Sequence, residues 1–257
     1  FDFERIRAIR KVVPGATVND VVLAICAGGL RRYLSTRDEL PGKPLVAMAP
    51  ISVRGEEEGA GNQVSAMLVN LATDIDDALD RLLHIRASTK RSKVHAGALP
   101  ANRLTEFLPS ETLAAAARVY TRTRLGGHHR PFFNVTITNV PGPPVPIYAA
   151  GARVHSAFGM APILDGLGLI LVIISYYGRI SIGISSCEEM VPDPDYMAEC
   201  FEHSLAELEL AISRVDPAKL SSVLKTRHEE TPETSDPLQA FRDASEALDR
   251  AIKTLED

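Results

Sequence analysis

Few residues in this chain are suited to chemistry. The most conspicuous are the adjacent histidines His128-His129, in the stretch Leu125-Gly126-Gly127-His128-His129-Arg130-Pro131. Imidazole titrates near neutral pH, so such a pair could supply a general base or a metal ligand. A Gly-Gly turn beside an arginine, however, reads as an exposed turn. His84, His95, His155, His203 and His228 fall mostly on helix faces among charged neighbours. Cys26, Cys187 and Cys200 sit in apolar or amphipathic contexts without metal-type spacing, and read as free thiols of a reducing compartment. No serine occupies a Gly-x-Ser-x-Gly elbow, no glycine run has phosphate-loop spacing, and no metal site is expected.

One amide remains to be explained. In Thr17-Val18-Asn19-Asp20-Val21-Val22, Thr17 stands at an N-cap position after Pro14-Gly15, and Asp20 follows three residues later. That spacing is a capping box, with an acidic group in the first turn where it complements the helix dipole. The helix runs to about Ser35, and Val18, Val21, Val22, Ile25, Gly29 and Tyr33 share its buried face. Asn19 could be a cap helper, a strut to a neighbouring strand, or a group aimed at a ligand.

The other elements follow from periodicity. Residues 3–12 form a short basic helix with Phe3, Ile6 and Ile9 on one side; a domain-packing face and a membrane contact are its two readings. Leu45 to Arg54 reads as a strand interrupted or edged at Pro50, and residues 55–61 as an acidic, Gly-rich loop. Asn62 to Thr73 reads as a strand covered on both faces, as in the middle of an α/β sheet. Thr73-Asp74 opens a helix to about Lys93, and Pro100 to Arg124 is helical and Ala-rich. Phe133 to Val140 alternates like a strand and runs into the turn Pro141-Gly142-Pro143-Pro144. Ala152 to Phe158 is a further strand candidate. Asp165-Gly166 sets the register of a central strand from 167 to 176, which turns at Tyr177-Gly178 into an alternating strand from 180 to 185. Pro192 to Asp195 starts a helix to about Val215 with Met197, Phe201, Leu205, Leu208 and Ile212 as its stripe. A polar linker at 231–237 precedes one more amphipathic helix. The division expected is a domain at 1–215, then linker and helix at 216–257.

With 257 residues and a net charge of −5, the chain can bury a sizeable core and lacks the basic balance of a general nucleic-acid binder. Its longest apolar run, Leu167 to Tyr177, is of strand length, well short of the roughly 18–20 residues of a membrane span. Phe1 to Lys11 reads as mid-protein sequence, so a piece of something longer is expected.

Several stretches together resemble the bacterial wax ester synthase/acyl-CoA:diacylglycerol acyltransferase family, in the order of its C-terminal half. They are Asn19 to Ala24, Ala49 to Arg54, Gly61 to Ser65, Thr138 to Pro143 and Ser175 to Gly178, and the likeness spans about residues 1–215. The resemblance implies an α/β fold of the CoA-dependent, chloramphenicol acetyltransferase type: a mixed β-sheet with flanking helices, forming the second half of a two-domain pseudo-symmetric enzyme. It implies transfer of a fatty acyl group from acyl-CoA to diacylglycerol or a long-chain alcohol, with no bound cofactor. The family's HHxxxDG histidine is expected on the N-terminal half; here Phe133 and Asn134 stand where that motif would place Asp and Gly after His128-His129. By resemblance, Asn19 is the candidate oxyanion donor or active-site support, Asn139 and Gly142 line the substrate path, and Thr17, Asp20, Asn62 and Asp165 are structural motif positions. The expected partner is the N-terminal half. The location implied is cytoplasmic, with peripheral contact to a membrane or lipid droplet. A condensation-type relative and a non-catalytic lipid-binding module are the alternatives, and an upstream HHxxxDG would support the enzyme over the non-catalytic module.

Overall fold

A computed structural model describes residues 1–52, 64–96, 133–163 and 167–215. Its elements are α1 (Phe3–Val12), α2 (Val18–Ser35), β1 (Val46–Ser52), β2 (Val64–Asn70), α3 (Ala78–Ala96), β3 (Val135–Pro141), β4 (Tyr148–Ala149), β5 (Ala152–Arg153), β6 (Leu169–Tyr176), β7 (Arg179–Ser186) and α4 (Pro194–Ser213). The main sheet has five strands in the order β2-β1-β3-β6-β7. β3 runs parallel to β1 and β6, while the outer pairs β1–β2 and β6–β7 are antiparallel. The mixed α/β architecture expected from the sequence is the one observed. The acidic loop, the Ala-rich stretch with His128-His129, Asp165, the polar linker and the last amphipathic helix lie outside the described residues.

Helices α1, α2, α3 and α4 cover one face of the sheet. Val135 and Ile137 of β3, and Leu169, Leu171 and Ile173 of β6, join α2 and α4 in one apolar core. The expected stripe of α4 is buried in full, as are Ile6 and Ile9 of α1, so α1 packs inward and ties to α4 through Arg5–Glu209. α2 goes further than a one-faced helix. Every residue from Asp20 to Leu30 is buried, because the sheet lies on one side and other helices on the rest. Gly28 and Gly29 make this closeness feasible. A Cβ on Gly29 would run into the ring and main chain of Phe201, and one on Gly28 into the Ser204 hydroxyl.

The far end of α2 is fastened to the start of α4. The Tyr33 hydroxyl donates to the Asp193 carboxylate (2.7 Å), which also pairs with Arg37, whose guanidinium lies 4.2 Å over the Tyr33 ring. Burial, then the bond to Asp193, pushes the Tyr33 phenol up to about 12. Arg37, then Tyr33, holds the Asp193 carboxyl below its ordinary range.

Four expectations need correction. First, β2 ends the sheet among the described residues rather than occupying its middle. Both its faces are covered, with Met67 and Val69 on one side and Leu68 on the other. Its outward backbone groups are met by helix hydroxyls: Ser88 accepts from the Asn70 amide (3.0 Å), and Ser92 donates to the Leu68 carbonyl. α3 thus substitutes for a neighbouring strand.

Second, β1 is not interrupted at Pro50. Leu45 and Leu71 pair across β1–β2, so odd-numbered residues of β1 face β2 and even-numbered ones face β3. The β1–β3 register stops at Met48, and the missing N–H of Pro50 falls beyond it.

Third, α3 begins at Ala78, not at Thr73-Asp74. Residues 71–77 turn instead, held by Asn70 on the Ala72 amide, by Arg31 on the Thr73 carbonyl and by Arg81 on the Ile75 carbonyl. Asp77 accepts from the Asp80 amide (2.8 Å) at the true helix start.

Fourth, Ala152 to Phe158 is not a strand; only the short hairpin β4–β5 forms, around Ala150-Gly151 at positive φ. The chain beyond it lies across the other sheet face on isolated bonds, such as Ala161 N–H to the Ser185 hydroxyl (3.2 Å).

Candidate functional site

Thr17 and Asp20 form the capping box that their spacing predicts. Asp20 Oδ2 accepts from the Thr17 amide (2.7 Å) and hydroxyl (2.8 Å), while the Thr17 hydroxyl accepts from the Asp20 amide (3.2 Å). The sequence did not disclose the carboxylate's other oxygen. Oδ1 accepts from the hydroxyl of Thr89 on α3 (2.6 Å), within the buried interior. Asp20 is 2% exposed and closes two jobs at once, capping α2 and clamping it to α3. A polar residue on the buried side of α3 was the available signal: Arg81, Ser88, Thr89 and Ser92 are all buried there.

With its neighbour so engaged, Asn19 is held in the first turn of α2, half-buried. It meets Asn139, whose Nδ2 donates to Asn19 Oδ1 at 3.2 Å. The sheet register explains the meeting. Asn139 pairs with Ile173, and both lie on the helix-covered face with Ile137 and Leu171. Asn139 therefore presents its amide toward α2 near the carboxyl end of β3. Two of the sequence candidates, 120 residues apart, come together in space. The Nδ2 donors of Asn19 have no partner among the described residues. They sit beside first-turn N–H groups that an α-helix leaves without intrahelical partners. Two fixed N–H bonds at the positive end of a helix can stabilise negative charge developing on an oxygen.

Gly142 lies just past β3, and its N–H donates to the Ser175 hydroxyl (3.2 Å). A Cβ there would collide with the Ser175 carbonyl oxygen, so packing against β6 requires glycine at this position. The neighbouring Tyr176 hydroxyl accepts from the Ile147 amide (3.0 Å) and donates to the Val154 carbonyl (2.8 Å). Thus Ser175 and Tyr176 fasten the 141–154 connection to the sheet beside Asn139. Asn62 and Asp165 lie outside the described residues. Among the described residues no group of His, Cys, Asp and Glu side chains could hold a metal, and no helix is long and apolar enough to cross a membrane. Cys26 and Cys200 are buried, and burial pushes the Cys26 thiol up to about 12 and the Cys200 thiol upward, which disfavours the reactive thiolate at both.

The family model for the WS/DGAT C-terminal domain matches residues 60–209. A putative diacylglycerol O-acyltransferase of Mycobacterium tuberculosis is 40% identical over 210 residues, covering 81% of this chain and 46% of that protein. The O-acyltransferase WSD of Acinetobacter baylyi is 34% identical over 227 residues, covering 86% of this chain and 48% of the relative. Among solved structures, the wax ester synthase/diacylglycerol acyltransferase of Marinobacter aquaeolei VT8 superposes with a TM-score of 0.64 at 33% identity, over 83% of this chain and 48% of that one. A nonribosomal peptide synthetase, FmoA3, reaches a TM-score of 0.51 at 15% identity, a likeness of fold alone. The chain spans about half the length of the curated relatives it matches.

Proposed function

The chain belongs to the wax ester synthase/diacylglycerol acyltransferase family as its C-terminal domain, and we propose that it works as half of an acyl-CoA-dependent O-acyltransferase. Its relatives are named for diacylglycerol and wax ester chemistry, and the substrates proposed here are acyl-CoA with diacylglycerol or a long-chain alcohol. The observation that carries this reading is the Asn19–Asn139 pair at the N-terminus of α2.

In this mechanism the base is a histidine of the N-terminal half. It takes the proton of the acceptor hydroxyl as the oxygen attacks the thioester carbonyl. Negative charge then collects on the former carbonyl oxygen, and the Nδ2 donors of Asn19, oriented by Asn139, stabilise it. Collapse of that intermediate expels the CoA thiolate, which is protonated as the ester is released. No resident cofactor takes part. The likeness to WS/DGAT proteins at 33–40% identity favours this reading over a condensation-type enzyme, whose fold is shared at 15%.

Residues 1–215 form the acyltransferase unit in this proposal and 216–257 an appended linker and helix. Association with a membrane or lipid droplet in the cytoplasm is peripheral. The deciding experiment measures CoA release from palmitoyl-CoA with diacylglycerol and with hexadecanol, on this chain alone and together with its N-terminal half. Turnover is expected only when both halves are present. Turnover by this chain alone would overturn the placement of the base.

A further inference from the structure

The capping box of α2 is complete with one carboxylate oxygen. Asp20 Oδ2 accepts from the Thr17 amide and hydroxyl, and the Thr17 hydroxyl accepts from the Asp20 amide. A capping box needs no more than this reciprocal pair. Asp20 is nevertheless 2% exposed, and its second oxygen receives the equally buried hydroxyl of Thr89 at 2.6 Å. That hydroxyl also lies 3.0 Å from the Arg86 carbonyl, so the carboxylate is the nearer of its two acceptors. Burying a carboxylate costs free energy even when its oxygens are hydrogen-bonded, and its place between two helices calls for a reason beyond capping.

The reason lies in what else is fixed to the same turn. Successive residues of an α-helix project roughly 100° apart, so Asn19 and Asp20 leave the first turn in different directions. Asp20 reaches α3, while Asn19 meets Asn139 of β3 at 3.2 Å. α3 is itself fastened to the sheet on either side of Thr89, by Ser88 on the Asn70 amide (3.0 Å) and by Ser92 on the Leu68 carbonyl. Backbone ladders then join β2 to β1 and β1 to β3. The links close a circuit from β3 to Asn19, along the helix to Asp20, across to Thr89, and back through α3, β2 and β1. Within it the first turn of α2 is held from two sides, which gives the Asn19 Nδ2 donors one orientation. Opening the circuit at Thr89 leaves Asn139, among the described residues, as the polar tie between that turn and the sheet. A displacement of about 1 Å at a reacting centre can cost roughly 10²-fold in rate.

Given the oxyanion role proposed for Asn19, on which the assignment rests, we infer that Thr89 is a positioning residue for acyl transfer. By holding Asp20 it fixes the first turn of α2, and with it the Asn19 donors. Thr89 is buried and acts through Asn19, so its loss falls on the transition state rather than on binding of acyl-CoA.

The test uses the enzyme with both halves present and follows CoA release from palmitoyl-CoA with hexadecanol, at a temperature where every variant is folded by circular dichroism. Thr89→Val keeps the shape and removes the hydroxyl; kcat should fall about tenfold, with the KM for palmitoyl-CoA within about twofold of wild type. Thr89→Ser keeps the hydroxyl and should hold kcat within about twofold of wild type. Added to Asn19→Ala, Thr89→Val should lower kcat by less than about twofold further, because the donor it positions is gone. A merely structural Thr89 would give the same tenfold fall in both backgrounds, and that result overturns the assignment. So does wild-type kcat in folded Thr89→Val, or a loss confined to KM. Wild-type turnover by Asn19→Ala alone would instead defeat the oxyanion reading, and the assignment with it, in a variant whose Thr89 is intact. Should Thr89→Val fail to fold, Thr89→Cys, whose thiol is the weaker donor, takes its place under the same criteria.

Discussion

Asn139 Nδ2 donates to Asn19 Oδ1 across 3.2 Å, joining the carboxyl end of β3 to the first turn of α2. The bond fixes the Asn19 amide plane, and with it the direction of the remaining Nδ2 donors. In the enzyme with both halves present, Asn19→Ala should lower kcat by about 10²–10³, the loss expected for one oxyanion donor. Asn139→Ala leaves the donor but frees it to rotate, so a smaller fall, on the order of tenfold and mainly in kcat, is expected. The double variant should lose little more than Asn19→Ala alone. Wild-type turnover by a stably folded Asn19→Ala protein would refute the oxyanion role.

Asp20 should matter to stability far more than a cap alone. A lost N-cap costs about 1 kcal/mol. Because Asp20 also accepts from buried Thr89, and hydrogen bonds to charged groups contribute roughly 1.5–3 kcal/mol each, Asp20→Ala should cost about 3 kcal/mol or more in urea unfolding. Thr89→Val, which keeps the cap and deletes the Asp20 clamp together with the hydroxyl's bond to the Arg86 carbonyl, should cost roughly 1–3 kcal/mol. A Thr89→Val protein as stable as wild type would show that the cap is the whole role.

Gly29→Ala offers a test by sign. In an exposed helix the change would stabilise by about 1 kcal/mol through propensity. Here the new methyl meets the Phe201 ring and backbone, and overpacking of this kind destabilises by roughly 1–3 kcal/mol. A fall in the denaturation midpoint is therefore expected. Phe201→Leu in the same background should restore part of the loss, since the ring is what the methyl strikes.

The Tyr33–Asp193–Arg37 tie predicts a stability profile with two edges. Asp193 has a folded pKa below its unfolded value, so its contribution is present above the ordinary carboxylate range and fades as pH falls through the folded value. Tyr33 has a folded pKa raised to about 12, so its contribution is complete below the unfolded value near 10 and is lost as pH rises toward 12. Thermal unfolding followed against pH should show both shoulders. Tyr33→Phe should remove the alkaline one, and a variant that keeps it would place the titration elsewhere.

Much of the helical layer is legible without coordinates, because helix signals are local. Thr17 and Asp20 lie three residues apart, the stripe of α4 repeats at helical spacing, and both reappear as read. Strand context is less local. The even coverage of β2 suggested a central strand, yet burial of both faces reports the layers above and below, not the neighbours at its sides. The true neighbour on its outer edge is a set of hydroxyls from α3. Likewise Ala152 to Phe158 has strand composition, but only Ala152 and Arg153 pair, with Ala149 and Tyr148 in a short hairpin.

The sequence by itself determined the family motifs, the capped start of α2 and the apolar faces that must be buried. Each depends on residue types at short, fixed spacings, which the backbone's geometry converts directly into structure. Only the tertiary structure decided that Asn139 meets Asn19, that Asp20 reaches Thr89, and that Gly142 lies against Ser175. Those relationships depend on sheet register and on how closely helices approach, quantities set by contacts among residues far apart in the chain and therefore written in no single stretch of it.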